Sequence, residues 1–161
     1  MEKHNFGFDY EVYNSSSELN PGDALLLEKA RQVSGIAYAP YSRFYVGAAA
    51  LLENGQIITG TNQENASYPV GICAERVLLG SAATLYPDAA ILSIAISYNT
   101  AKEKTNHPIS PCGMCRQSLL EYETRFKKPV RIIMGGLTGK VHVVESVRLL
   151  LPFAFTSEEL I

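Results

Sequence analysis

Apolar positions along this chain recur with two different periods. Between residues 22 and 37 they return at Leu26, Ala30 and Val33, the spacing of one helical face. Asn20 and Pro21 stand before that stretch as an N-cap and a proline at the first helical position, and Tyr38, Ala39, Pro40 and Tyr41 stop it. Residues 46–52 and 56–60 are apolar segments joined across Asn54 and Gly55, a pair that tolerates positive φ, so they predict an antiparallel hairpin. Residues 91–98 read as a buried strand, and 130–134 and 141–144 as two more. Helices are predicted over 73–85 and 112–126. Near the start, Phe6, Phe8, Tyr10 and Val12 alternate with other residues and predict a short edge strand, followed by a polar loop to Asn20. The tail, 146–161, is apolar around Leu149, Leu150, Leu151, Phe153 and Phe155 and is expected to pack. Strands that alternate with helices, two of them in a hairpin, imply an α/β fold. The expected architecture is a three-layer α/β/α sandwich with a mixed sheet of about five strands.

Length and composition narrow this to one globular domain. A chain of 161 residues suits a single core, and size scaling lets it bury roughly 69% of its unfolded surface without disulfide staples. Hydrophobic residues are 47% and charged residues 19%, which excludes a disordered or collagen-like chain. Net charge is −2, and the longest run of adjacent cations is the pair Lys127 and Lys128. A groove for nucleic acid needs a denser basic stripe, so no nucleic-acid partner is expected. No apolar run approaches the ~20 residues of a membrane span, and the first ten residues do not read as a secretory signal. A cytoplasmic protein with no membrane partner is expected.

The chain has three cysteines, an odd number that a disulfide framework would not use. All three stand at predicted helix starts, in Cys73-Ala74-Glu75 and in Pro111-Cys112-Gly113-Met114-Cys115. Unpaired N–H groups at a helix start favour the thiolate, which is the metal-binding form. Cys112 and Cys115 have chelating spacing, and Cys73 would be a third ligand from the other helix. Zinc suits sulfur donors; a redox Cys-x-x-Cys pair is the competing reading. Three protein ligands leave the fourth position for water, unless His107, His142 or His4 closes it. Zinc lowers the pKa of bound water from 15.7 to about 7, and Glu75, two residues past Cys73, is placed to handle the protons. Three thiolates overbalance the ion's charge, so a cation should donate to the sulfurs. Arg76 is favoured over Arg116 for that task.

Four segments, 38–50, 61–68, 71–76 (Gly-Ile-Cys-Ala-Glu-Arg) and 110–117 (Ser-Pro-Cys-Gly-Met-Cys-Arg-Gln), closely resemble the cytidine deaminase family. The resemblance runs from about residue 22 to the Leu-Leu-Pro that ends at Pro152 and the aromatic residues after it. It leaves residues 1–20 as an N-terminal extension and 21–161 as the catalytic domain. In the family's three-cysteine form, it implies hydrolytic deamination of cytidine, with deoxycytidine as a further substrate, in pyrimidine salvage. It implies one Zn2+ per subunit on Cys73, Cys112 and Cys115, with Glu75 moving the proton to N3 of cytosine and then to ammonia. Asn62 and Glu64 would take the ribose hydroxyls, Phe44 would flank the pyrimidine and the Ala74 backbone N–H would meet the base carbonyl. Ala66 and Tyr68 would complete the substrate contacts. The small members are similar to homotetramers with shared active sites, so Tyr68 and Phe155 would reach neighbouring pockets, with Phe153 as the competitor of Phe155. Two other readings stay open: a deaminase of cytosine-nucleoside antibiotics, and a structural zinc module whose fourth ligand closes the metal site.

Overall fold

The structure is a computed structural model and describes residues 1–160. Six strands form one sheet in the order β1-β6-β5-β4-β2-β3. They are β1 (Glu11–Tyr13), β2 (Phe44–Leu52), β3 (Ile57–Thr61), β4 (Ile91–Thr100), β5 (Arg131–Gly135) and β6 (Val141–Val144). Helix α1 (Pro21–Ser34) covers one face, while α2 (Ala74–Leu85) and α3 (Gly113–Phe126) cover the other. The expected three-layer sandwich is therefore present, with one strand more than the five anticipated. Strands β4 and β5 run parallel and the other pairs antiparallel, so the sheet is mixed.

Strand alternation divides the core in two. Ala49, Ala95 and Ile133 lie side by side across β2, β4 and β5 and face α1 with Leu26, Leu27 and Ala30. Their chain neighbours Ala48, Ala50, Ile94, Ile96, Ile132 and Met134 face α2 and α3. Small residues in the first row let α1 come close. A Cβ on Gly47 would stand only 2.1 Å from the Ala30 carbonyl oxygen, so that position tolerates nothing larger than glycine.

Element boundaries follow local chemistry. Asn20 caps α1 by accepting from the Asp23 backbone N–H at 2.9 Å, with Pro21 at the first turn. The helix ends at Ser34 rather than Ala37, because Gly35, Ile36 and Ala37 donate to carbonyls three residues back and tighten the last turn. At the N-terminus, the expected edge strand shrinks to β1. Glu11 pairs with Val143, so the register carries Tyr10 to Val144, the last residue of β6, and leaves Phe6 and Phe8 with no strand to pair with. The rings of Phe6, Phe8 and Tyr10 instead form a ladder, with centroids 6.5 Å and 6.4 Å apart, that reaches His142 at 5.2 Å. The tail packs only in part. Leu149, Leu150 and Leu151 lie against the α2 and α3 side of the core, whereas Phe153 and Phe155 are exposed. Ile161, the end of the expected packing tail, lies outside the described residues.

Candidate active site

Two helix starts face each other across the outer layer. Cys73 is the N-cap of α2 and Cys112 the N-cap of α3, and neither side chain is spent on capping its helix. Cys115 lies one turn into α3 and is buried. The three sulfur atoms lie within 4.8 Å of one another, with 3.9 Å from Cys73 to Cys112 and 3.5 Å from Cys112 to Cys115. Zn–S bonds of about 2.3 Å in a tetrahedron put sulfurs roughly 3.8 Å apart, so the trio fits one zinc ion. Among the described residues, no histidine or carboxylate joins the group. His107 is engaged with Tyr98, His142 packs on Tyr10 and His4 pairs with Glu2. The set of three donors is what leaves a coordination position for a small molecule.

The surroundings bias the protons. A hydrogen bond from Cys115 holds the Cys73 thiol well below its ordinary value, at about 6, and the same contact together with burial pushes Cys115 up. The helix start and that hydrogen bond both favour the thiolate form of Cys73. Glu75, in the first turn of α2, is 5% exposed. Burial pushes its carboxyl above the usual range, and the Cys115 thiol and the Arg76 guanidinium only partly offset that. Arg76 directs Nη1 to the Met114 sulfur at 3.8 Å rather than to a ligand sulfur, although its charge also lowers the Cys73 pKa. Arg116 is committed elsewhere, donating to the carbonyls of Pro111 and Leu150.

A cavity of about 500 Å³ opens beside Cys73 and is lined by Tyr41, Ser42, Asn62, Glu64, Tyr68 and Ile72 among others. Glu64 accepts from the backbone N–H groups of Tyr41 and Ser42 at 2.9 and 3.2 Å. Burial works against its ionisation, but hydrogen bonds from Ser42 and Tyr41 prevail and hold the carboxyl below its ordinary range. Asn62 ties β3 to β2: its side chain accepts from the Val46 N–H at 2.7 Å and donates to the Phe44 carbonyl at 2.9 Å. Asn62, Glu64, Tyr68 and Cys73 therefore share one cavity. Phe44, Ala66, Ala74 and Phe155 do not line it in the single chain. Phe44 stands half-buried at the start of β2, Ala66 is exposed, and Ala74 is buried at the first position of α2. Tyr68 is 75% exposed and Phe155 59% exposed, and the Phe155 carbonyl is tied to Gln117 of α3. Missing from the sequence reading were Tyr41 and Ser42, whose backbone N–H groups hold Glu64; a helix-to-strand turn rich in tyrosine and proline gave no such signal.

The sequence profile described as the cytidine and deoxycytidylate deaminase zinc-binding region matches residues 22–130. A cytidine deaminase of Halalkalibacterium halodurans is 38% identical over 138 residues, which are 84% of this chain and 96% of that protein. The crystal structure of cytidine deaminase from Burkholderia pseudomallei superposes with a TM-score of 0.69 at 39% identity, covering 81% of this chain and 97% of that one. A blasticidin-S deaminase of Bacillus cereus is more distant, 27% identical over 136 residues, 83% of this chain and 92% of that protein. With the sulfur trio, the buried glutamate and these matches together, the chain belongs to the cytidine and deoxycytidylate deaminase family.

Proposed function

We propose that this protein hydrolyses cytidine, and deoxycytidine, to the corresponding uridine and ammonia. The observation that carries the reading is the convergence of three cysteine sulfurs from two helix starts beside the buried carboxyl of Glu75. Cys73, Cys112 and Cys115 hold one zinc ion per subunit in this reading. When bound, that ion supplies a Lewis acid that makes water a nucleophile near neutral pH.

Glu75 takes the proton that the attacking water gives up and hands it to N3 of the cytosine ring. It then moves the next proton to the exocyclic amine, so that the C4–N bond breaks, a C4–O bond remains and ammonia leaves. A carboxyl raised by burial suits this work, because it holds a proton more readily than an exposed carboxylate and can still pass it on. Arg76 offsets the negative charge of the thiolates by its field on Cys73. The Ala74 N–H, free at the first turn of α2, donates to the base carbonyl, and Phe44 flanks the ring. Glu64 and Asn62 read the sugar hydroxyls. Each has used part of its hydrogen-bonding capacity on backbone groups and keeps some for the cavity they share. No lysine or arginine is among the residues that line this cavity, and the Glu64 carboxylate would repel a phosphate, which favours a nucleoside over a nucleotide.

Ala66 and Tyr68 complete the mouth, and Phe155 serves a neighbouring pocket in a homotetramer. Tyr68, Phe155 and Phe153 are exposed, the last at 98%, and so are accessible to a neighbouring subunit. Free thiols at the metal centre suit a reducing cytoplasm, where the reaction serves pyrimidine salvage. Residues 1–20 form an extension that covers the β6 edge of the catalytic domain through β1. Among the described residues, no helix is long and apolar enough to cross a membrane.

Ammonia release tests the reading. Cytidine and deoxycytidine should react; cytosine, adenosine and cytidine monophosphate should react poorly. Preferential deamination of blasticidin S would favour the antibiotic-deaminase alternative, which the more distant relative keeps in view. A zinc-loaded protein inert on every one of these substrates would point to the structural zinc module.

A further inference from the structure

Tyr98 is the largest fully buried side chain among the described residues, and none of the roles above uses it. It lies on β4 opposite Val46 of β2, and its ring stacks on that of Phe44 with centroids 5.0 Å apart and planes 18° apart. Its hydroxyl lies 3.1 Å from Nδ1 and 3.2 Å from Nε2 of His107. His107 belongs to the loop between β4 and α3, which leads to Cys112 five residues later. The same loop is pinned further out, where the Thr105 carbonyl accepts from the Thr138 N–H at 3.2 Å. A Cβ on Gly136 would stand only 2.2 Å from that carbonyl oxygen.

The backbone of Phe44 is already held. Its N–H donates to the Ser42 hydroxyl at 3.0 Å and its carbonyl accepts from Asn62. Those bonds fix the main chain but leave the ring free to turn between side-chain rotamers. The stacked Tyr98 ring removes that freedom, because another Phe44 rotamer would forfeit the face-to-face contact.

We infer that Tyr98 is a positioning residue, which sets the Phe44 ring for the pyrimidine. The inference rests on the reading of Phe44 as the group that flanks the base. Tyr98 itself is sealed from solvent and touches no substrate.

Steady-state kinetics of the full-length, zinc-loaded protein test it, together with zinc content and thermal midpoint. Tyr98→Leu should raise KM for cytidine about tenfold and leave kcat within about twofold, because the ligands and Glu75 are untouched. Tyr98→Phe keeps the stacking ring and should restore KM to near the parent value. Should Tyr98→Leu fail to fold, Tyr98→Met carries the same comparison. Phe44→Ala serves as the control. If Phe44→Ala raises KM and Tyr98→Leu does not, the positioning role is wrong while the reading of Phe44 stands. If Phe44→Ala leaves KM unchanged, the reading of Phe44 falls and takes the inference with it. A Tyr98→Leu protein that loses zinc and kcat together at constant KM would make Tyr98 a purely structural residue and overturn the proposal.

Discussion

Gly60 on β3 lies so close to α2 that a Cβ there would stand 2.4 Å from the carbonyl oxygen of Ala74 and 2.6 Å from the Leu78 nitrogen. The first turn of α2, which carries Glu75 and follows Cys73, thus rests directly on the sheet. Replacing Gly60 by alanine would force that turn outward. The cost should be about 1–3 kcal/mol of stability, as for other overpacked sites. Zinc per chain should fall as well, since the displaced turn moves Cys73 relative to Cys112 and Cys115. Urea unfolding and elemental analysis would read the two effects, and an unchanged zinc stoichiometry would show that the turn does not hold the ligand in place.

Glu75→Gln keeps the size of the buried side chain and removes the proton carrier. Turnover of cytidine should drop by roughly 10²–10⁴, with zinc content and thermal midpoint preserved. Single-turnover kinetics with metal analysis would check this.

Zinc should contribute to folding as well as to chemistry, because its ligands come from two helices whose approach it would secure. Stripping the metal with a chelator should abolish turnover and lower the thermal midpoint. Adding zinc back should restore both. Calorimetry of the stripped and reloaded protein would detect the shift, and identical midpoints would contradict a folding contribution.

Glu64→Gln should raise KM for cytidine about tenfold, the loss expected when a charged hydrogen-bond acceptor becomes neutral. Any slow turnover of free cytosine should not change, since the base lacks the sugar hydroxyls. Parallel KM measurements on the two substrates would separate a sugar contact from a general disturbance of the cavity.

The N-terminal strand should respond to acid. Arg131 forms ion pairs with Glu11, Asp23 and Glu145, and so joins β1, α1 and the end of β6. The Tyr13 hydroxyl and then Arg131 hold the Glu11 carboxyl below its ordinary value of 4.5. A depressed carboxyl pKa adds stability that is fully present above the unfolded value and is lost as pH falls through the folded one. Protection of the β1 amides should therefore weaken below about pH 4.5. Arg131→Met should cost about 1–2 kcal/mol at neutral pH, between the effects of exposed and buried pairs, and less in acid. Hydrogen exchange of the β1 amides against pH would measure the difference.

The sulfur trio was legible in the sequence because its chemistry is local: Cys112 and Cys115 share one helical turn, and Cys73 sits two residues from Glu75. The layers were legible too, since the chain switches between helical and strand periods at recognisable turns. What escaped depends on partners distant along the chain. Phe44 and Tyr98 meet only because β2 and β4 pair in one particular register. The engagement of Asn62 with the β2 backbone likewise needs the strands in place. Arg76 reaches Met114, on the other helix, instead of a cysteine, a contact between distant parts of the chain that no spacing rule supplies. Alternation alone also overextended the N-terminal strand, whose length is limited by the short β6 beside it.

The stretch that carries Asn62, Glu64 and Tyr68 along the cavity wall ends at Cys73. In the proposed reading, sugar recognition and metal retention are thus written into one short peptide. Attempts to broaden the enzyme toward bulkier or modified nucleosides by lengthening this loop would disturb the sulfur at its end. The Tyr41 and Ser42 side of the cavity carries no cysteine, so changes there would spare the sulfurs and act instead through Glu64, which its backbone holds.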